Sequence, residues 1–408
     1  MAKLRFLVLA AIVGGLPQVS HGQGATSAEI AAIRAEIALL MQRLDRLEQG
    51  DAGSAASVQP EVQLAQRVVA LEQAAGVSDR IELSGDFRYR HETINDDASV
   101  ERHRQRIRAR VGLDAAITED VEFGLVLATG GDNPVSGNQS LDGGFTRKSI
   151  GIDRAFVDWS VNDRVNISAG KMRNPFFRPG GHHLIWDSDA NPEGLALRYD
   201  TGTWFANIGS FWVEERSSSD ESLLLGSQFG QRGSFGNDRR YTVGVSYLDY
   251  RNTQGQTPFY DDSGQGNRLN VAGNYLNDFN NIEIFGQIDM TLGQQPLRLF
   301  ADYVENTEGT GADTGFALGA FYGDMSGRGT WEVGYAYQDL QADAVIATFT
   351  DSDFADGGTD GKGHVFEFGY GLADRWSLGV TYFLNERGAD AGNERDYNRL
   401  QADINFRY

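Results

Sequence analysis

The sequence of 408 residues contains no cysteine, only 8 prolines and only 40 % hydrophobic residues. Without cysteine, a disulfide framework, a thiolate metal site and a thiol nucleophile are all excluded. Basic residues are also scarce, because 36 Lys and Arg stand against 57 Asp and Glu and give a formal charge of −21. So acidic a chain would repel the phosphates of nucleic acid, and we expect no nucleic-acid partner.

The first 22 residues have the pattern of a secretory signal peptide. Lys3 and Arg5 provide a basic start, residues 6–16 form a short apolar core, and small residues precede a cleavage position after Gly22. Later in the chain, no apolar run approaches the roughly 18 residues that a transmembrane helix needs. The sequence therefore predicts an exported protein that can enter a membrane only without helices.

Residues 27–49 carry a heptad pattern that predicts a coiled-coil helix. Apolar residues recur at intervals of three and four, namely Ile30, Ile33, Ile37, Leu40, Leu44 and Leu47. Gly50 ends the pattern, and residues 50–78 read as a linker and a second short helix. The coiled coil could associate with other copies, or the helix could pack on the rest of the protein; the pattern does not fix the number of chains.

From residue 79 to the end, the helical pattern gives way to alternation of apolar and polar residues, which is typical of β-strands. We count 17 such runs, including 269–275 and the terminal 397–408. A barrel with both ends on one side needs an even number of strands, so 16 are favoured and 18 stay possible. The up-and-down assignment fails between residues 274 and 329, where one of the runs must be misassigned.

Two all-β architectures compete for this segment, a soluble sandwich or propeller and a transmembrane barrel. The runs of about ten residues suit a tilted crossing of a bilayer, and aromatic residues recur near their ends, as membrane interfaces favour. Tight turns also alternate with long polar loops, which is the layout of an outer-membrane barrel. We therefore predict a transmembrane antiparallel β-barrel over residues 79–408, with its apolar face toward lipid and a wet lumen.

The terminal run has apolar residues at alternate positions and an aromatic residue at its end. These residues are Leu400, Ile404, Phe406 and Tyr408. The pattern resembles the closing strand of Gram-negative outer-membrane proteins, which implies recognition by the barrel-assembly machinery. Closure also leaves no strand edge unpaired in lipid.

Five arginines share the polar side of the first two runs: Arg88, Arg90, Arg106, Arg108 and Arg110. An arginine facing lipid near the bilayer midplane would cost about 2–4 kcal/mol, so all five should face the lumen as one basic patch. Lys171 and Arg173, which follow a later run, are further candidates for the pore lining. Alternatively, these cations only pair with carboxylates in the lumen and stiffen the wall.

Residues 174–194 form a long loop in the third outer position. Its bulky residues, Phe176, Phe177 and Trp186, should pack against another surface rather than extend into water. Three acidic residues, Asp187, Asp189 and Glu193, follow these anchors.

Two stretches carry a resemblance to a known family. Residues 169–196 contain Ala-Gly-Lys, Asn-Pro-Phe, Leu-Ile-Trp-Asp-Ser-Asp and Asn-Pro-Glu-Gly-Leu-Ala, and residues 296–306 read Pro-Leu-Arg-Leu-Phe-Ala-Asp-Tyr-Val-Glu-Asn. Together they resemble the "Putative porin" family of proteobacteria, which is distantly similar to the phosphate-selective porins. The resemblance covers residues 80–408 and implies a passive outer-membrane channel that assembles as a homotrimer.

In porins the third loop folds into the lumen and narrows it, so the resemblance implies that residues 174–194 form a constriction in which Asp187, Asp189 and Glu193 face the basic patch. Phosphate-selective porins carry long basic ladders and a lysine cluster. Here the barrel has only Lys148, Lys171 and Lys362, and only a mild anion preference is predicted.

The prediction is thus a porin that passes small hydrophilic solutes by diffusion, with no enzymatic step, cofactor or metal. Its partners would be outer-membrane lipid and lipopolysaccharide, and its N-terminal segment would lie in the periplasm. Two other hypotheses stay open. The coiled coil could tether the envelope, with the barrel as an anchor only, or the barrel wall could carry the Ser-His pair of a hydrolase.

Overall fold

The computed structural model describes residues 80–408 except 218, 237, 261 and 262. The predicted signal peptide, coiled coil and second helix lie outside the described residues. In the described part of the chain, no helix is long and apolar enough to span a membrane.

Within that part, the chain forms sixteen long strands and one strand of two residues, β4 (Gln139–Ser140). The long strands are β1 (Ile81–Asp96), β2 (Arg102–Ala116), β3 (Val121–Thr129), β5 (Ile150–Asn162), β6 (Val165–Lys171), β7 (Glu193–Asp200), β8 (Trp204–Glu214), β9 (Ser222–Phe235), β10 (Arg239–Arg251), β11 (Phe279–Leu292), β12 (Gln295–Asn306), β13 (Thr314–Gly323), β14 (Trp331–Leu340), β15 (Gly361–Ala373), β16 (Trp376–Arg387) and β17 (Arg395–Arg407).

Each long strand pairs antiparallel with its neighbours in the chain, and the sheet closes on itself. The terminal strand β17 pairs with β1 from Asp86↔Arg407 to Asp96↔Tyr397, while β4 only adds two residues to the outer part of β2. A closed sheet has no edge to leave unpaired in lipid. The favoured prediction of a sixteen-stranded barrel is therefore confirmed.

The prediction of a strand at residues 269–275 is wrong. These residues form a tight hairpin within the loop between β10 and β11, held by a single bridge between Leu269 and Tyr275. Gly273 supplies the turn with a φ of 82°, and its N–H donates to the Asn270 carbonyl at 2.9 Å. Leu269 and Tyr275 pack against the buried core, whereas Val271 is fully exposed, so the alternation of this run does not mark one face of a sheet. Removing the run resolves the strand count.

Most strands carry a row of apolar residues that faces outward. Along β10, Val243, Val245 and Tyr247 are 44–49 % exposed, whereas Thr242 and Ser246 between them are less than 8 % exposed. On β17, Leu400, Ile404 and Tyr408 are likewise exposed, and Phe406 packs edge-on against Trp376. An exposed apolar band with buried polar residues between its members is the arrangement of a barrel surrounded by lipid.

Turns of two to four residues and one longer turn (324–330) join the strands at one end of the barrel, and most connections at the other end are longer. Numbered in chain order, the eight connections at that end include L2 (130–149), L3 (172–192), L5 (252–278) and L7 (341–360). L3 is the predicted third loop. It ends two residues earlier than predicted, because Glu193 already pairs with Lys171 in the β6–β7 ladder.

One side of the lumen is packed with loops rather than water. The "apolar wall" consists of inward-facing residues of β8–β16, namely Phe211, Leu224, Leu248, Phe300, Val304, Ala336, Val365 and Phe383. L3, L5 and L7 cover it with Leu184, Ile185, Trp186, Phe259, Tyr275, Val345 and Ile346. Removing this surface from water holds the loops in place. The lumen is thus partly filled by loops, and the sequence did not predict this for L5 and L7.

Candidate functional site

The "arginine wall" is the inner face of β1 and β2 that carries Arg88, Arg90, Arg106, Arg108 and Arg110. All five side chains point inward, as their alternation with apolar residues predicted. They lie close together because the two strands are paired neighbours. The structure divides them into two groups. Arg90 and Arg106, toward the outer end of the barrel, form buried ion pairs. Arg108 and Arg110, deeper in the barrel, face L3.

The buried contacts centre on Glu92, which is fully buried. Its carboxylate lies 2.6 Å from the guanidinium of Arg399, 2.8 Å from that of Arg104 and 3.4 Å from that of Arg106. A buried carboxylate is stable only when cations and hydrogen bonds replace its water. Arg106 is therefore part of the wall's own ion-pair network.

L7 completes this network from across the lumen. Asp353 lies 2.7 Å from Arg90 and 2.7 Å from Arg399, and Asp403 of β17 takes a second, two-pronged contact from Arg90. Burial would raise the pKa of Asp353, but Arg399 and Arg90 outweigh it and hold that pKa well below its ordinary value. L7 is thus anchored by an ionised carboxylate.

Arg88 is covered by L2 instead. Its Nη2 donates to Oδ1 of Asn138 at 2.7 Å. Arg90 and Arg106 therefore pair with carboxylates, which is the alternative that the sequence left open, whereas Arg88 donates to an amide oxygen.

Arg108 and Arg110 form the part of the wall that meets L3. They lie 3.3 Å and 3.4 Å from Oδ1 of Asp189, and both also contact Asp86 of β1, at 3.2 Å and 2.7 Å. Burial opposes ionisation of Asp189, but the two guanidinium groups outweigh it and lower the pKa of this carboxyl. L3 therefore crosses the lumen and places a negative charge against two positive ones.

L3 can cross the lumen because three glutamines of the apolar wall bind it. Gln228 accepts from the Phe177 N–H at 2.7 Å and donates to the Phe177 carbonyl at 2.9 Å. Gln287 accepts from the Gly180 N–H at 2.8 Å, and Gln338 contacts His182 Nε2 at 2.7 Å. Gln228 and Gln287 thus satisfy backbone groups of L3 that burial would otherwise leave unpaired. Gln338 satisfies the half-buried His182 side chain instead.

Gly180 allows the loop to lie flat on the wall. Its φ is 67°, and a Cβ at this position would collide with the ring of Phe300. Phe176 packs edge-on against Trp186 and Phe211, with ring centroids 6.0 and 6.2 Å apart. Through these contacts the aromatic residues hold L3 against the barrel wall, as the sequence predicted.

The other two predicted acidic residues lie elsewhere. Asp187 is buried between L3 and L7, where its N–H donates to the Phe349 carbonyl at 2.8 Å and its Oδ2 accepts from the Ser352 N–H at 3.0 Å. Burial raises the pKa of Asp187 to about 7. Glu193 pairs with Lys171 at 2.9 Å on the outer side of L3. The structure thus brings Asp189 to the arginines, but not Asp187 or Glu193.

Two cavities lie on either side of the Asp189 contact. The outer cavity, of about 350 Å³, is lined by L2 together with Lys171, Asp189 and Glu193. The inner cavity, of about 240 Å³, is lined by Arg110, Arg173 and the start of β1. Asp153 of β5 lines both, so the contact of Asp189 with Arg108 and Arg110 lies beside β5, between the two cavities.

Sequence reasoning missed several members of this site. Glu92 has the same alternation as Arg90, and Arg399 and Asp403 lie on the polar side of the terminal run, so their inward direction was readable. The ion pairs that they form could not be predicted, because these depend on which strands pair when the barrel closes. Asp353 gave no local signal, since only the folded path of L7 brings it to β1.

A closed barrel with a lipid-facing apolar exterior and a loop folded into a charged lumen is the fold of an outer-membrane porin. The model of the family described as "Putative porin" matches residues 89–274 and 267–408. These matches cover most of the chain, which therefore belongs to this family, and the resemblance seen in the sequence is confirmed. The family and the barrel place the protein in the outer membrane.

Solved structures show the same fold. The high-pH structure of OprB from Pseudomonas putida has 13 % sequence identity and a TM-score of 0.55, covering 83 % of this chain and 96 % of that one. The low-pH structure of the same protein has 9 % identity and a TM-score of 0.51, covering 83 % and 95 %. No curated protein matches the sequence.

Proposed function

We propose that the protein is a channel for passive diffusion of small hydrophilic solutes and ions, in which L3 forms the constriction. The observation that carries this proposal is the position of Asp189, held 3.3–3.4 Å from Arg108 and Arg110 between two cavities that share Asp153. A wet passage on this side removes the hydrocarbon barrier to polar solutes.

The mechanism has no chemical step. Opposed charges fixed on the two sides of a narrow passage create a transverse field, which orders water and favours solutes whose charges fit it. L3 sets the size limit because the glutamines and the apolar wall fix its position. Arg108 and Arg110 bias the passage toward anions, and Asp189 moderates that bias.

Planar-bilayer recording tests this proposal. The purified full-length protein should give stepwise conductance, and the double substitution Arg108→Gln with Arg110→Gln should lower the anion-to-cation permeability ratio several-fold. Arg298→Gln is the matched control, because it removes one cation from an exposed pair with Asp289. Absence of stepwise conductance in the unmodified protein would overturn the proposed channel; unchanged selectivity would overturn only the roles of these arginines.

The proposed partners follow from the same assignment. We propose outer-membrane lipid and lipopolysaccharide around the barrel, a homotrimeric assembly, and recognition of β17 by the barrel-assembly machinery. Deleting residues 27–75 separates a porin from an envelope tether, since a porin keeps conducting and a tether loses envelope integrity. A barrel hydrolase would instead turn over ester or lipid, and a serine reagent would abolish that turnover.

A further inference from the structure

The inner cavity contains more cations than its own carboxylates can neutralise. Four guanidinium groups line it, from Arg110, Arg154, Arg173 and Arg407, against the two side-chain carboxylates of Asp86 and Asp153. The cavity therefore holds an excess of positive charge just past the constriction, in a protein whose overall charge is −21.

The two carboxylates are already engaged. Asp86 accepts from Arg110 Nε at 2.7 Å and from Arg108 at 3.2 Å. Asp153 accepts from the side-chain amide of Asn191 at 2.9 Å, and it approaches Arg154 only to 3.9 Å. Neither carboxylate thus satisfies the Arg154 guanidinium.

The positive charge of Arg173 is neutralised even less by nearby carboxylates. It follows β6 at the start of L3 and is exposed within the cavity. Within the described part of the chain, no carboxylate lies within 4 Å of its guanidinium nitrogens. Arg154 and Arg173 are therefore two like charges on one small cavity, an arrangement that an anion between them would stabilise.

We propose that Arg154 and Arg173 form a binding subsite for small organic monocarboxylates that cross the channel. This inference rests on the proposed channel function and names the class of solute that the passage favours. The planar fork of a guanidinium matches a carboxylate through two parallel hydrogen bonds, which a spherical halide cannot make. The subsite lies directly after the Asp189 constriction, so an anion that passes Arg108 and Arg110 meets it next.

The rest of the cavity limits the class further. A carboxylate on a carbon chain differs from phosphate by its apolar part, so an apolar surface in the cavity separates the two. The buried side chain of Val126 lines the same cavity and offers an apolar surface to the carbon chain of the solute. A short aliphatic monocarboxylate such as propionate has both the carboxylate and the apolar part.

Block of the chloride current tests the subsite. Propionate added to the full-length channel in a planar bilayer should reduce the chloride current with saturation, and neutral 1-propanol should not. The double substitution Arg154→Gln with Arg173→Gln should raise the half-blocking propionate concentration by about tenfold or more, the loss expected when a charged hydrogen-bonding partner is removed. Replacing both by Lys should give an intermediate value, because an ammonium keeps the charge but lacks the fork.

Arg198→Gln is the matched control. It also removes an inward-facing arginine, but Arg198 lines a different cavity and pairs with Asp158 at 2.8 Å, so the half-blocking concentration should stay within about twofold. Stepwise conductance of each variant without propionate establishes that it has folded. If the double variant does not insert, Arg173→Gln alone, which changes only a loop residue, provides the same test.

Three results would overturn the subsite. They are equal block by 1-propanol, block by phosphate at pH 8 as strong as that by propionate, and an unchanged half-blocking concentration in the Gln variants. Any of them leaves the channel itself intact, because the unmodified protein still conducts. Loss of conductance in the unmodified protein would instead overturn the proposed function, and the two failures are thus distinguishable.

Discussion

The two inner walls of the barrel hold their loops by different forces. On the arginine wall, L2, L3 and L7 are bound by discrete charged contacts, such as those of Asp189 and Asp353. On the apolar wall, the same L3 and L7, together with L5, are bound by buried aromatic and aliphatic surface and by three glutamines. Charged contacts leave room for water between them, whereas an apolar seal does not, which is why we propose that the passage lies along the arginine wall.

The largest expected loss of stability comes from breaking the buried ion-pair network around Glu92. Arg399→Gln leaves the buried carboxylates of Glu92 and Asp353 without their shared cation, and breaking a buried pair in this way costs about 3–5 kcal/mol. We expect the free energy of unfolding in phospholipid vesicles, measured by urea titration, to fall by that amount. A loss below about 1 kcal/mol would show that this network contributes little to holding L7.

The next effect tests the apolar wall. Gly180→Ala places a Cβ against the ring of Phe300, and overpacking of this kind costs about 1–3 kcal/mol, so L3 should dock less firmly. Recording should then show larger or noisier unit conductance. Gly181→Ala is the matched control, because Gly181 has a similar φ of 72° but open space around its Cβ position. Equal behaviour of the two variants would mean that backbone strain, not the collision, acts on L3.

A smaller effect concerns the contact between L3 and L7. Burial raises the pKa of Asp187 to about 7, above its unfolded value, so the folded protein keeps a proton that the unfolded chain has lost. The contribution of this group to the free energy of unfolding is therefore largest at acidic pH, and it is lost as the pH rises toward 7. We expect the free energy of unfolding to fall by on the order of 1 kcal/mol between pH 5 and pH 7.5.

Asp187→Asn is the variant that isolates this group. An amide cannot ionise, so the variant should lose that part of the pH dependence and keep the rest. Asp289→Asn, which changes an ion pair outside the L3–L7 contact, should retain the full pH dependence. The assignment to Asp187 fails if the two variants follow the same pH profile.

The smallest effect is expected at an ion pair that is partly exposed to solvent. Arg298 and Asp289 form a 2.9 Å pair in which the arginine side chain is 46 % exposed, and such pairs contribute about 0–1 kcal/mol. Arg298→Gln should thus leave both the free energy of unfolding and the ion selectivity almost unchanged. A loss comparable to that of Arg399→Gln would remove the distinction between buried and exposed pairs on which the comparison rests.

Much of the fold was readable from the sequence. The alternation of Val243, Val245 and Tyr247 with polar residues gives the direction of each side chain, because a strand has a period of two. The same rule placed the five arginines inward. It failed at residues 269–275, where Leu269 and Tyr275 pack in a loop hairpin and Val271 is exposed. Local periodicity does not distinguish a short loop hairpin from a strand.

By itself, the sequence determined the strands, their lipid-facing side, the family and the inward direction of the arginines, since each follows from local spacing or from motifs. The tertiary structure alone decided which charges meet. Asp189 reaches Arg108 and Arg110, Asp187 turns to L7, and Asp353 crosses to Arg90 and Arg399. Such pairings join residues far apart in the chain, and they depend on barrel closure and on how the loops fold over the apolar wall.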